Sequence, residues 1–72
     1  MWILEEATYD NTQDALRFTT LVKSKDWRGI HREFESSSNR GKSVLLSVSG
    51  ECADVVGISS GYKKERNKIR NS

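Results

Sequence analysis

Hydrophobic and polar positions alternate most cleanly in K-S-V-L-L-S-V-S at 42–49. Val44, Leu46 and Val48 recur at every second place there, with Ser43, Ser47 and Ser49 mostly on the other side. A strand with one packed face reads this way. Gly50 and Glu51 mark a turn, and Ala53, Val55, Val56, Gly57 and Ile58 outline a second strand over 53–59. The short connection makes the two strands antiparallel neighbours. Gly57 marks a bulge or a close approach, and Ser59, Ser60 and Gly61 release the chain.

At the start, W-I-L is rich in strand formers. Trp2, Leu4 and Glu6 alternate with Ile3, Glu5, Ala7 and Tyr9, which predicts a short strand over 2–8. Asp10, Asn11 and Thr12 are good helix-capping residues, and Gln13 and Asp14 stand at capping-box spacing from the first two. Ala15, Phe18, Leu21 and Val22 then follow helical intervals, with Lys23 and Lys25 at the end favoured by the helix dipole. Leu16, Phe18, Thr20 and Val22 also alternate, and Thr19, Thr20 and Val22 are β-branched, so a strand competes for this segment. The caps favour helix.

A second helix is expected after the boundary at 24–26. Trp27, Ile30 and Phe34 fall on one stripe, with His31 beside it and Arg28, Arg32, Glu33 and Glu35 around the rest. Gly29 weakens it by on the order of 1 kcal/mol relative to alanine. Ser36, Ser37, Ser38, Asn39, Arg40 and Gly41 read as the turn that ends it. The pattern as a whole predicts an α+β domain, a small antiparallel sheet packed against one or two helices; the alternative is a mostly β small barrel. The expected core is Trp2, Leu4, Phe18, Val22, Trp27, Ile30, Phe34, Val44, Leu46, Val48, Val56 and Ile58.

Seventy-two residues, 35 % hydrophobic and 31 % charged, allow one modest core. A domain of this size buries only about 60 % of the surface of its unfolded chain, so a partner or a second copy could supply further burial. The expected domain covers 1–61, followed at 62–72 by a basic tail, either disordered alone or a short helix with Tyr62, Arg66 and Ile69 on one side. The tail carries Lys63, Lys64, Arg66, Lys68 and Arg70 against Glu65, a net of +4 in a chain whose formal charge is +2. The beginning is acidic: Glu5, Glu6, Asp10 and Asp14 are the only charged residues before Leu16.

Candidate chemistry is sparse. The single cysteine, Cys52, cannot close an internal disulfide, and with His31 as the one histidine there is no ligand set for structural zinc. No cofactor is expected. M-W-I-L-E-E lacks the charged start of a signal peptide, and its apolar run is too short to span a membrane, so a cytoplasmic location is expected. Gly41-Lys42-Ser43 matches the end of a phosphate-binding loop. Ser36 stands where the first glycine belongs, and the segment runs from helix to strand rather than strand to helix, which argues against nucleotide hydrolysis. Glu5 and Glu6 are adjacent and point apart, while Asp10 and Asp14 are explained as caps, so no catalytic pair and no enzyme activity is expected.

The basic tail carries the strongest functional signal. Lys63, Lys64, Arg66, Lys68 and Arg70, joined by Arg40 and Lys42, can neutralise phosphates of DNA or RNA without reading sequence. The alternative is a protein-interaction or inhibitory module that binds an acidic protein or forms a homodimer. The two differ in surface: a nucleic-acid binder places Arg28 or Arg32, Arg40, Lys42 and the tail on one positive face. A protein binder exposes apolar area around Trp2, Trp27 or Phe34. Attraction to a membrane ranks last, because Tyr62 and Ile69 alone make a poor anchor.

Overall fold

The computed structural model describes residues 1–48 and 54–70. Its elements are β1 (Trp2–Asp10), β2 (Ala15–Ser24), α1 (Trp27–Asn39), β3 (Val44–Val48), β4 (Val55–Ile58) and α2 (Ser60–Arg66). The four strands form one antiparallel sheet in the order β2-β1-β3-β4. The chain is therefore α+β. The sheet stays open, with β2 and β4 as its edges, so the small-barrel alternative does not hold. Cys52, the turn expected at Gly50 and Glu51, and the ends next to that turn, Ser49 and Ala53, of the strands expected at 42–49 and 53–59 lie outside the described residues.

The segment after Asp10 is a strand rather than the expected helix. The capping residues make a hairpin turn instead: Asp10 Oδ1 accepts from the Thr12 backbone N–H at 2.9 Å and from its hydroxyl at 2.6 Å. An Asx turn and a helix cap use the same local bonds, so the capping signal does not separate them. Asp14 then takes φ 53° to close the loop. Pairing of β2 along the whole of β1 decides the matter, with the β-branched run supporting it. Leu21 is left opposite no residue, because Leu4 pairs with Val22 and Glu5 with Thr20. This bulge puts Val22 on the α1 side of the sheet and Phe18 and Thr20 on the other, so the alternation from Leu16 to Val22 does not line one face.

The core lies between α1 and the sheet. Leu4, Ile30, Val44 and Leu46 are fully buried, with Trp2, Val22 and Phe34 packed against them. Gly57 lets the chain pass close beneath the helix, since a Cβ there would stand 3.2 Å from the Phe34 ring. Several expected core residues are elsewhere. Phe18 and Trp27 are each 40 % exposed, and Val56 is 51 % exposed because it is the extra residue where Leu46 pairs with Gly57 and Ser47 with Val55. Ile3, Ala7 and Leu45 are buried in their place, on the far side of the sheet. Both faces of β3 are covered, not one: Ser47 is buried with Leu45, and neither the Ser47 hydroxyl nor Glu5 Oε1 has a hydrogen-bond partner among the described residues.

The serines expected to form a linker belong to α1. Ser36, Ser37 and Ser38 instead supply the carbonyls of its last turn: Gly41 N–H donates to Ser38 O at 3.0 Å and Lys42 N–H to Ser37 O at 3.1 Å. This is the Schellman pattern, and Gly41 supplies the left-handed residue it needs, at φ 80°. The helix ends where glycine permits the reversal; the serines have only a small helix penalty. At the other end Gly29 leaves room for the Asp26 carboxylate, which a Cβ would meet at 2.7 Å.

Ser59, Ser60 and Gly61 likewise do not release the chain; they begin a helix. Ser59 is buried and joins three elements. Its hydroxyl accepts from Tyr62 N–H at 3.1 Å, capping α2, accepts from Val44 N–H at 2.9 Å and donates to Lys42 O at 2.8 Å. Its own N–H donates to Val44 O at 3.0 Å, extending the β3–β4 ladder by one bond.

Candidate nucleic-acid interface

Two features place α2 beside the turn that follows α1. Gly61 has no side chain where a Cβ would fall 2.7 Å from Lys42 O and 2.9 Å from Gly41 O. Ser59 holds the other side of the same backbone. The Arg40–Lys42 turn and the first turn of α2 therefore form one corner of the molecule, although about twenty residues separate them in sequence.

α2 and the residues after it turn their basic side chains outward. Tyr62, Glu65 and Ile69 are half-buried, while Lys63, Lys64 and Arg66 are exposed, as are Arg40 and Lys42. Glu65 has a structural duty. β3 covers β1 only from Trp2 to Glu6, Ala7 N–H donates to Ser43 O at 2.8 Å, and beyond that Tyr9 N–H donates to Glu65 Oε1 at 3.3 Å. The carboxylate thus takes the place of a missing strand carbonyl. Its hydrogen bond with Lys68, followed by that with Tyr9 N–H, holds the Glu65 carboxyl below its ordinary range.

The tail cations divide into two groups. Lys68 forms an ion pair with Glu65. Arg70 is tied to the β1–β2 turn, its backbone N–H donating to Asp14 Oδ1 at 2.9 Å and its Nη2 to Asn11 O at 3.3 Å. Asp14 Oδ1 also accepts from the Tyr9 hydroxyl at 2.6 Å, which raises the phenol above its ordinary value. Lys63, Lys64 and Arg66, with Arg40 and Lys42, make no ion pair with another described residue, and Arg66 lies 5.8 Å from the centre of the Tyr62 ring. The two segments that meet at the corner thus carry cations without an ion-pair partner among the described residues.

A second feature sits on α1, one that the expected core placement of Trp27 hid. An open groove of about 270 Å³ is lined by Trp27, Arg28, His31, Arg32 and Glu35. The Trp27 ring leans on Trp2, centroids 4.3 Å apart, and on His31 at 5.0 Å. Aromatic and basic residues alternate here at positions 27, 28, 31 and 32, a signal present in the sequence but overshadowed by the Trp27-Ile30-Phe34 stripe. Arg28, Arg32, Ser36 and Arg40 recur every four residues and are exposed, leading from this groove to the basic corner.

No group of three or more metal-binding side chains occurs among the described residues. No helix among them is long and apolar enough to cross a membrane. No protein-family model, curated protein or solved structure matches the chain.

Proposed function

We propose that this protein is a non-catalytic nucleic-acid-binding module that engages the phosphates of DNA or RNA through its basic corner. The observation that supports this reading is the close packing of α2 against the Gly41–Lys42 backbone, which joins the segment that carries Arg40 and Lys42 to the one that carries Lys63, Lys64 and Arg66. Lys68 and Arg70 contribute at longer range, since Glu65 and Asp14 engage them. Such a cluster binds by releasing counterions, independently of base sequence. No pair of carboxylates or nucleophile and base is part of the reading, and the lack of paired cysteines favours the cytoplasm.

The test is binding to random duplex and to single strands across a salt series, with the wild type and the Lys63→Gln/Lys64→Gln/Arg66→Gln variant. Removing three phosphate contacts lowers the slope of log affinity against log salt by about 2 to 3. Unchanged affinity and slope would show that these cations do not carry the function.

A second reading has its own support. β2 is a ten-residue edge strand, and Phe18 and Val55 are exposed on the sheet face away from α1. A second copy or another protein could add a strand there. Failure to bind either nucleic acid, together with concentration-dependent sedimentation, would favour this protein-interaction module over the first reading.

A further inference from the structure

We infer that the groove on α1 is a base-stacking platform, and that the nucleic acid held by this protein is single-stranded. The inference rests on the nucleic-acid reading and specifies its ligand. Trp27 packs against Trp2 and His31, which hold its indole in place, and it stays 40 % exposed, so surface is left for a ring to cover. Arg28 and Arg32, four residues apart on the groove wall, make no ion pair with a described residue. The one acid on the wall, Glu35, is engaged by His31, with Nδ1 to Oε1 at 3.0 Å.

A flat aromatic ring flanked by free guanidinium groups is complementary to a base with its phosphates. Sequence-tolerant single-strand binders use this combination. The groove is open, and at about 270 Å³ it falls below sites that enclose whole small molecules, about 300–1,000 Å³. A duplex keeps its base faces stacked and cannot present one to Trp27; a single strand can. From Arg28 to Arg40 the exposed track along α1 is about 18 Å at 1.5 Å per residue. A strand stacked at Trp27 therefore passes Arg32 and Ser36 to reach Arg40 just beyond the helix.

The deciding experiment measures fluorescence anisotropy of the full chain with a labelled oligothymidylate and with a long two-stranded duplex without a loop, each over a salt series. Tryptophan emission is recorded in parallel. The wild type is expected to prefer the single strand and to lose tryptophan emission on binding it. Trp27→Ala should weaken single-strand binding about 5- to 150-fold, the worth of one stacked base, with the salt slope and duplex binding unchanged. Trp27→Phe keeps a stacking ring and most of the affinity, leaves Trp2 as the one emitting indole, and decides the matter by its affinity if the alanine variant melts early. Equal binding of both forms by the wild type with no change in emission overturns the platform and leaves the phosphate-binding corner standing. No binding of either form removes the parent reading and the platform together.

Discussion

The two helices of this protein are attached to the same sheet by different physics. α1 has thirteen residues, no side-chain cap hydrogen bond, and a buried isoleucine, Ile30, with Phe34 packed against the same core. α2 has seven residues, none of them buried, and is held by the Ser59 hydroxyl, the Glu65 carboxylate and the contact of Gly61 with the Gly41–Lys42 backbone. A helix of two turns is too short to persist alone. Apolar burial secures α1 in a manner indifferent to charge, while hydrogen bonds and carboxylates secure α2. The proposed phosphate-binding cations therefore stand on the element that polar chemistry controls, and the stacking groove on the one that the hydrophobic core controls.

The largest way to break this division is to attack the shared core. Leu46 is fully buried beneath α1. Leu46→Ala should cost about 2 to 5 kcal/mol, enough to threaten a domain of this size, and thermal or denaturant melting would measure it. A near-zero change would mean that the core is not where the α1 contacts place it.

A smaller and more local break is Ser59→Ala. It removes the cap of α2 and leaves Val44 N–H and Lys42 O without their side-chain partner, a loss of about 1 to 3 kcal/mol. Hydrogen exchange should show the amides of α2 losing protection while those of α1 keep most of theirs. Equal loss in both helices would mean that the two attachments act as one.

Acid sharpens the comparison with the smallest effect. The carboxyls of Asp10 and Glu65 titrate below their ordinary range in the fold, the first mainly through the Thr12 hydroxyl and the second mainly through Lys68. A carboxyl whose pKa is lowered on folding contributes stability that is present above the unfolded value. That contribution fades as the pH falls through the folded one. Protection of α2 and of the β1–β2 turn should therefore be constant near neutrality and decline at a pH below the usual carboxylate range, before α1 responds. Glu65→Gln should remove the α2 part of that dependence. Tyr9 acts in the opposite sense: its raised phenol contributes stability that is full below its ordinary value of 10.0 and is lost as the pH rises through the higher folded value.

Local pattern carried some of this architecture and misled on the rest. The strands at Trp2, Val44 and Val55 and the helix of Trp27, Ile30 and Phe34 follow from periodicity, because each side chain's environment is set by neighbours two, three or four residues away. Asp10 to Thr12 misled because a cap and an Asx turn make the same bonds. Ser36 to Ser38 and Ser59 to Gly61 misled because serine and glycine favour both turns and helix ends, and only their partners distinguish the two.

The candidate site divides in the same way. The charge of the tail and the cations at 40 and 42 were legible from residue identities alone, because charge belongs to the side chain. The exposure of Trp27 was not, since it depends on how the indole packs against Trp2 and His31 in the fold. Sequence by itself pointed to the α+β class, with a small β barrel as the alternative, and determined the acidic start and the basic end. Only the tertiary structure decided that residues 15–24 pair as a strand, that α2 docks against the Arg40–Lys42 turn, and which cations keep a free charge. Strand pairing, helix docking and ion pairing all join residues far apart in the chain, and their energies exist only once the chain has brought those residues together.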